Sequence, residues 1–307
     1  QMAYNAFNQR ILHKLNINEN LEKMKKYLIN NRSKVVTISL LLIIIGLGIF
    51  LRFYHIGKLS FWLDEAFTFT YFRGSLDILL PGIKIDPNMS LYYILANFWM
   101  RIFPNASEGT LRGLSAIFSI ASIPVVFLLG KTMTANRKKA AVIGLIAAFL
   151  IVINSFNIRY AQEFRSYSLT FLLTTLSTFL FIKTIEDTDS KHRWIIWYTL
   201  VTAAAVYSHF HAIFIIAAQV VTLPILFLDR NKNHFTFKRI LYCEIGIACL
   251  ILPVTILAYV KGPEQISWIP VPTLGIVKEL FIEISGYSDG SWLLALYLLF
   301  GCIGLLF

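Results

Sequence analysis

Residues 194–228 read WIIWYTLVTAAAVYSHFHAIFIIAAQVVTLPILFL, a run of 35 positions without Asp, Glu, Lys or Arg. A helix needs about 20 apolar residues to cross the roughly 30 Å of hydrocarbon in a bilayer. A single span would account for only about 20 of these residues. We therefore predict two helices joined by a turn near 208–211. An uncharged stretch of this length is typical of a membrane protein.

Further uncharged apolar runs recur along the chain. They occupy residues 35–51, 113–130, 140–158, 166–182, 245–260 and 291–307. With 57% hydrophobic residues, these runs predict eight spans, which must be helical to satisfy the backbone in lipid. We therefore predict an all-α polytopic membrane protein, with a cytoplasmic segment 1–34 and a transmembrane domain 35–307. The chain begins without Met and ends inside an apolar run, which leaves open that it is C-terminally truncated.

The net charge of +11 comes from basic clusters in alternate loops. They lie at 23–34, 137–139, 191–193 and 230–239. The positive-inside rule then places the N-terminus in the cytoplasm and the loops 52–112, 159–165, 208–211 and 261–290 outside. The basic charge is a topology signal, and no nucleic-acid partner is expected. The first apolar run lacks a small-residue cleavage site and is interpreted as a retained anchor.

The first outer loop contains two apolar segments that are too short to span. In the segment 91–103, Tyr93, Asn97 and Arg101 fall four residues apart and form one polar stripe. Such a pattern is typical of a helix lying in the membrane interface, and 64–72 is similar. We predict interfacial helices there and over 273–285.

Two adjacent carboxylates, Asp64 and Glu65, lie within the aromatic stretch LSFWLDEAFTFTYF. A charge among such residues loses hydration, so its presence suggests chemistry at the membrane face. A carboxylate can act as a general base, and a fixed cation can neutralise a phosphate. The second outer loop, NIRYAQEFRSY, supplies Gln162, Glu163 and Arg165.

The turn 208–211 adds His209 and His211. Residues two apart on a helix point in nearly opposite directions, so a shared metal ion is not expected there. His209 is instead a candidate substrate contact. The three cysteines lie in or beside spans without a C-x-x-C spacing, and no cofactor is predicted, although a divalent cation stays open.

Five motifs together carry a resemblance to a known family. They are SFWLDEAFT, DPNMSLYYILANFWMRIFPNASEGTLRGLSAIFSI, RYAQEFRSYSL, YSHFHAIFIIAAQ and SWIPVPT. In this order, within residues 40–286, they resemble the GT-C glycosyltransferases. The chain is most similar to the bacterial branch related to dolichyl-phosphate-mannose protein mannosyltransferases and lipid A aminoarabinose transferases.

The resemblance implies an inverting transferase that takes a sugar from a polyprenyl-phosphate donor at the outer face. The acceptor would be a hydroxyl of a glycan, a lipid or a protein. By the family pattern Asp64 is the general base, and Glu65 orients it or binds an ion. Gln162, Glu163 and Arg165 match polar site residues of the second loop.

The chain departs from the family pattern at the start of the second interfacial helix. Members commonly read Asp-x-His-Pro-Pro-Leu-Tyr-Tyr, whereas here the residues are DPNMSLYY, from Asp86 to Tyr93. Asn88 replaces the histidine and can keep a hydrogen bond but not a charge. Asp86, Asn88 and Tyr93 are taken as candidate substrate contacts.

Two other functions stay open. A transporter or flippase of lipid-linked intermediates usually carries ionisable residues near the bilayer midplane, whereas here they collect in outer loops. That placement favours an enzyme working at the membrane interface. The resemblance implies the inner membrane of a bacterium, and the charge pattern predicts that the site faces outward. A non-catalytic relative is the third possibility, because of the departure at 88–90. The sugar, the acceptor and the prenyl chain are not specified by the sequence.

Overall fold

The computed structural model describes residues 32–134, 136–187, 193–228 and 234–262, and the single residues 273, 275, 276, 279, 282, 283 and 299. All regular secondary structure within them is helical, as the sequence predicts. The helices are α1 (Arg32–Phe53), α2 (Leu63–Phe72), α3 (Leu76–Ile85), α4 (Ser90–Ile102), α5 (Glu108–Thr132), α6 (Arg137–Ile153), α7 (Ser155–Ala161), α8 (Tyr167–Glu186), α9 (Arg193–Ser208), α10 (Ile213–Leu228) and α11 (His234–Lys261). Short 3₁₀ turns occupy Pro87–Met89 and Phe210–Ala212. The chain divides into two units, residues 1–43 and 44–307, and all residues of the candidate site belong to the second.

Four of the described helices are long and apolar enough to cross a membrane: α1, α5, α8 and most of α11. A fifth candidate consists of α6 and α7, which are bent by 61° at their junction. The break between α9 and α10 falls where the sequence predicts it, but each helix has 16 residues, fewer than the roughly 20 of a span. The predicted span 291–307, most of the helix 273–285 and most of the segment 1–34 lie outside the described residues. The count of eight spans therefore stays a prediction.

The helices form two apolar cores. In one, α8, α9, α10 and α11 pack around Tyr198 and Ile247. In the other, α2, α3 and α4 pack against the start of α5, around Tyr92 and Phe164. The helices α2 and α4 confirm the two helices predicted in the first outer loop, whereas α3 was not predicted. On α4 the polar stripe faces the protein, because the Asn97 amide donates to the Phe72 carbonyl at 2.7 Å.

The bend between α6 and α7 is held by a buried arginine of α1. All five N–H groups of Arg52 have acceptors: Ser119 Oγ at 2.6 Å, Asn157 Oδ1 at 2.6 Å, and the carbonyls of Gly48, Ile151 and Val152 at 3.3–3.4 Å. Two of these carbonyls belong to the last turn of α6, where a helix leaves its carbonyl groups without internal partners. Asn154 then caps α7, since its Oδ1 accepts the Asn157 N–H at 2.8 Å.

A side-chain cap closes the end of α1. The Gln162 amide donates to the carbonyls of Leu51, Arg52 and Tyr54 at 3.3, 3.1 and 2.9 Å. These are orphan carbonyls at a helix C-terminus, which side-chain donors commonly satisfy. Gln162 therefore fixes the segment after α7 against the end of α1. The sequence predicts a substrate contact for Gln162, whereas in the structure its amide group caps this helix.

We expect Arg52→Ala to lower the free energy of unfolding by about 3 kcal/mol or more. The reason is that each buried acceptor left without a donor costs about 1–3 kcal/mol. Thermal unfolding of the protein in detergent measures the effect. Lys58→Ala, which removes an exposed cation just beyond the same end of α1, is the matched control and should change the melting temperature little. Equal melting temperatures for the two variants would contradict the structural role of Arg52.

Candidate functional site

The first element of the site is a buried ion pair between α2 and α5. The Glu65 carboxylate, which is 0% exposed, accepts two hydrogen bonds from the Arg112 guanidinium, at 2.8 Å from Nε and 2.6 Å from Nη2. Its oxygens also accept the backbone N–H of Phe164 at 2.6 Å and of Trp62 at 3.3 Å. The carboxylate thus meets four donors on three separate stretches of chain.

Arg112 also fixes the loop that joins α1 to α2. Its Nη1 donates to the carbonyls of Ile56 and Leu59 at 3.1 and 2.6 Å, and its Nη2 donates to that of Ser60 at 3.2 Å. The pair therefore serves as a scaffold for the loop. The sequence predicts a catalytic part for Glu65, orienting Asp64 or binding an ion, and the structure places its carboxylate out of solvent contact with its acceptor sites occupied.

Asp64 has a different environment from its neighbour. Its side chain is 34% exposed, and its Oδ2 lies 3.4 Å from Nη2 of Arg165. Arg165 Nη1 also donates to the Asp64 carbonyl at 3.2 Å and to Thr68 Oγ1 at 3.1 Å. The Nε atom of Arg165 is buried and has no hydrogen-bond partner among the described residues. The structure thus pairs an accessible carboxylate with a largely buried cation that keeps one unused donor.

Asp86, Asn88 and Tyr93 lie close to this pair. The Tyr93 hydroxyl donates to Asp86 Oδ2, and the backbone N–H of Asn88 donates to Asp86 Oδ1 at 3.1 Å. Burial, followed by the negative charge of Asp86, raises the pKa of Tyr93, so its phenol keeps its proton. Asn88 Oδ1 accepts the backbone N–H of Phe210 at 3.0 Å, so Asn88 joins the start of α4 to the turn before α10.

The two histidines of that turn lie together, and the expectation that they point apart is wrong. His209 has extended backbone, with φ −169°, so the two positions do not share a helix. Their Nδ1 atoms are 2.8 Å apart, and the rings stack at 4.5 Å. Burial lowers the pKa of His209 to about 3, with smaller contributions from His211 and Arg165. His209 is therefore neutral at physiological pH.

Glu163 lines a cavity of about 700 Å³. The cavity is bordered by the loop after α1, by the start of α2, by α7 and by Tyr167. The Glu163 side chain is 13% exposed; its Oε1 lies 3.7 Å from Nε of Arg159, and its Oε2 has no hydrogen-bond partner among the described residues. Burial raises the pKa of Glu163 to about 7, and the nearby Arg159 opposes that shift. Its carboxyl group can therefore exchange a proton near neutral pH.

The site residues predicted from the sequence form two neighbouring groups. One group contains Asp64, Arg165, Asp86, Tyr93, Asn88 and His209, and the other contains Glu65, Gln162 and Glu163, which line the cavity. Sequence reasoning missed Arg112 and Tyr167. Arg112 precedes an apolar run, where an arginine is usually a headgroup contact, so no local signal marks it as the partner of Glu65.

The described residues contain no group of three or more His, Cys, Asp or Glu side chains placed to hold a metal ion. The divalent cation that the sequence left open stays a prediction, and no step of the chemistry below passes through one.

Comparison with protein-family models and with curated proteins gives no match for this chain. The resemblance to GT-C glycosyltransferases consequently rests on the five sequence motifs.

Replacing Glu65 by Ala should lower the free energy of unfolding by about 3–5 kcal/mol, because Arg112 would be left buried without its charge partner. Glu186→Ala is the matched control, since Glu186 pairs with Lys183 at 2.7 Å on an exposed surface, where such pairs contribute about 0–1 kcal/mol. Melting temperatures in detergent compare the two. A Glu65→Ala protein as stable as the control would refute the scaffold role.

Proposed function

We propose that this chain is a membrane glycosyltransferase of the GT-C type. It transfers a sugar from a polyprenyl-phosphate donor to a hydroxyl of a glycan, a lipid or a protein, with inversion at the anomeric carbon. It lies in the bacterial inner membrane with the N-terminus in the cytoplasm, and the site around Asp64 faces outward. The four candidate spans and the motif resemblance support this assignment.

One observation carries the proposal: of the two adjacent carboxylates, Asp64 is accessible and lies beside Arg165, while Glu65 is enclosed. A general base must reach the proton that it abstracts. A cation next to the base can neutralise the negative charge that develops on a departing phosphate. The two groups required for transfer from a lipid phosphate therefore occur side by side.

The chemistry follows from these two side chains. Asp64 accepts the proton of the acceptor hydroxyl, whose oxygen attacks the anomeric carbon of the donor sugar. The bond between that carbon and the phosphate oxygen breaks, and its electron pair leaves with the polyprenyl phosphate. Arg165 offers its positive charge to the departing phosphate oxygens, since an arginine guanidinium matches phosphate well.

A transporter or flippase is the second candidate, and one feature favours it. Within the helices, the Tyr198 hydroxyl lies 2.6 Å from Glu244 Oε1 and 2.9 Å from Gln219 Oε1. Ionisable residues enclosed between membrane helices often mark transport pathways. A flippase would move a lipid-linked sugar without cleaving it, so the two candidates differ in whether free polyprenyl phosphate is released.

We expect Asp64→Asn to reduce sugar transfer by about 10²- to 10⁴-fold, because the amide cannot accept the acceptor proton. The measurement is release of polyprenyl phosphate from a polyprenyl-phosphate sugar by the purified protein in lipid vesicles. Asp77→Asn makes the same chemical change at an exposed position of α3 and should retain wild-type activity.

Full activity of Asp64→Asn would remove Asp64 from its assigned role. If the wild-type protein moves the intact donor between leaflets and releases no polyprenyl phosphate, the flippase is supported and the transferase is not.

The predicted topology can be tested with single cysteines in a variant whose three native cysteines are replaced by Ser. We expect Asn105→Cys to react with a membrane-impermeant maleimide in intact cells and Lys139→Cys to react only after the membrane is opened. Both side chains are exposed, so accessibility to the reagent does not limit the comparison. The reverse labelling pattern would place the Asp64 site on the cytoplasmic face.

A further inference from the structure

We propose that the cavity beside Glu163 binds an uncharged, polyhydroxylated ligand, the carbohydrate part of the acceptor, and that Glu163 recognises it as a neutral carboxylic acid. The identification of the ligand as the acceptor rests on the proposed function. The location of the site rests on the geometry of the cavity.

The walls of the cavity combine aromatic rings with polar and charged side chains. Trp62, Tyr160 and Tyr167 contribute rings, and the charged residues that line the cavity are Glu65, Arg112, Arg159 and Glu163. A volume of about 700 Å³ lies within the range of about 300–1,000 Å³ that is usual for small-molecule sites, which are mostly apolar with few polar anchors. Sugar rings present apolar C–H faces and polar edges, so they suit such walls.

The carboxyl group of Glu163 lines the cavity and makes few contacts with other protein groups. The charged groups around it are Arg159 on α7, Glu65 on α2, Arg112 on α5, and Arg165 on its own segment. Arg112 is committed to Glu65, and Arg165 is committed to Asp64. Arg159 is 52% exposed and 3.7 Å away, so solvent weakens its attraction for the carboxylate.

The protonation state follows from this environment. Burial raises the pKa of Glu163 to about 7, so about half of the molecules carry the proton at neutral pH. A neutral carboxyl group can donate one hydrogen bond and accept others, as a sugar hydroxyl can. The raised pKa favours the protonated form of Glu163 in the folded protein. The affinity for a ligand that needs this form is therefore highest below pH 7 and falls as the pH rises above 7.

An anionic ligand fits the cavity less well. The two arginines that line the cavity already face carboxylates, because Arg112 is paired with Glu65 and Arg159 lies 3.7 Å from Glu163. Tyr167 forms a shared wall, because it lines the cavity and its hydroxyl interacts with Arg165. A carbohydrate in the cavity therefore lies one side chain away from the Asp64–Arg165 pair, where the phosphate of the donor is proposed to lie.

The first experiment needs no turnover. Dicyclohexylcarbodiimide modifies protonated carboxyl groups in apolar surroundings, and peptide mass spectrometry identifies the residue. We expect Glu163 of the full chain in nanodiscs to be modified below pH 7 and much less at pH 8.5, while exposed Glu186 stays unmodified. Methyl α-mannoside, methyl α-glucoside or methyl α-galactoside should slow the modification, and inorganic phosphate should not.

The second experiment measures the affinity of the protecting glycoside by calorimetry. Wild-type affinity should fall about tenfold per pH unit above pH 7, whereas Glu163→Gln, which stays neutral, should show no such dependence. Glu163→Ala should bind about three- to tenfold more weakly than Glu163→Gln, and Glu186→Gln should behave as wild type.

Each contrary result is informative. Protection by phosphate and not by glycosides, the absence of binding by all three glycosides, or equal binding by Glu163→Ala and the wild type would overturn the proposal. Neither experiment includes the polyprenyl-phosphate sugar donor. If the wild-type protein binds the glycoside but transfers no sugar, the proposed function fails while the cavity assignment stands.

Discussion

The buried pair between Glu65 and Arg112 is the contact on which the arrangement of the site depends. It joins α2 to α5, holds three carbonyls of the loop after α1, and receives the backbone N–H of Phe164. A buried ion pair adds little net stability compared with an apolar contact, but it strongly disfavours any packing that separates the charges. The pair thereby fixes three distant parts of the chain in one arrangement.

The short segment 162–165 distributes its contacts in four directions. Gln162 caps the end of α1, and Glu163 borders the cavity. Phe164 gives its backbone N–H to Glu65, and Arg165 contacts Asp64. Because neighbouring residues on this turn point to different sides, one segment positions the accessible carboxylate and also walls the cavity. The difference in exposure between Asp64 and Glu65 follows from this geometry.

Several features were predictable because they depend on local pattern. Apolar runs predicted the long helices, and the four-residue spacing of Asn97 and Arg101 predicted the helix α4 with one polar stripe. The resemblance and the charge pattern predicted that the acidic pair lies near the segment 162–165. The prediction for the histidine turn failed because it assumed helical backbone at His209, and α3 was missed because Pro81 interrupts its pattern. A capping contact such as that of Gln162 joins residues more than 100 positions apart, so no local pattern encodes it.

The sequence by itself determined an all-helical chain with membrane-length helices, the helix break near 208–211, and a set of polar residues rich enough for chemistry. It could do so because hydrophobic periodicity and charge placement act over one or two turns of helix. Only the tertiary structure decided which carboxylate is accessible, which arginine is committed to which acid, and that Glu163 borders a cavity. Those properties depend on desolvation and on contacts between distant segments, which arise when the helices pack.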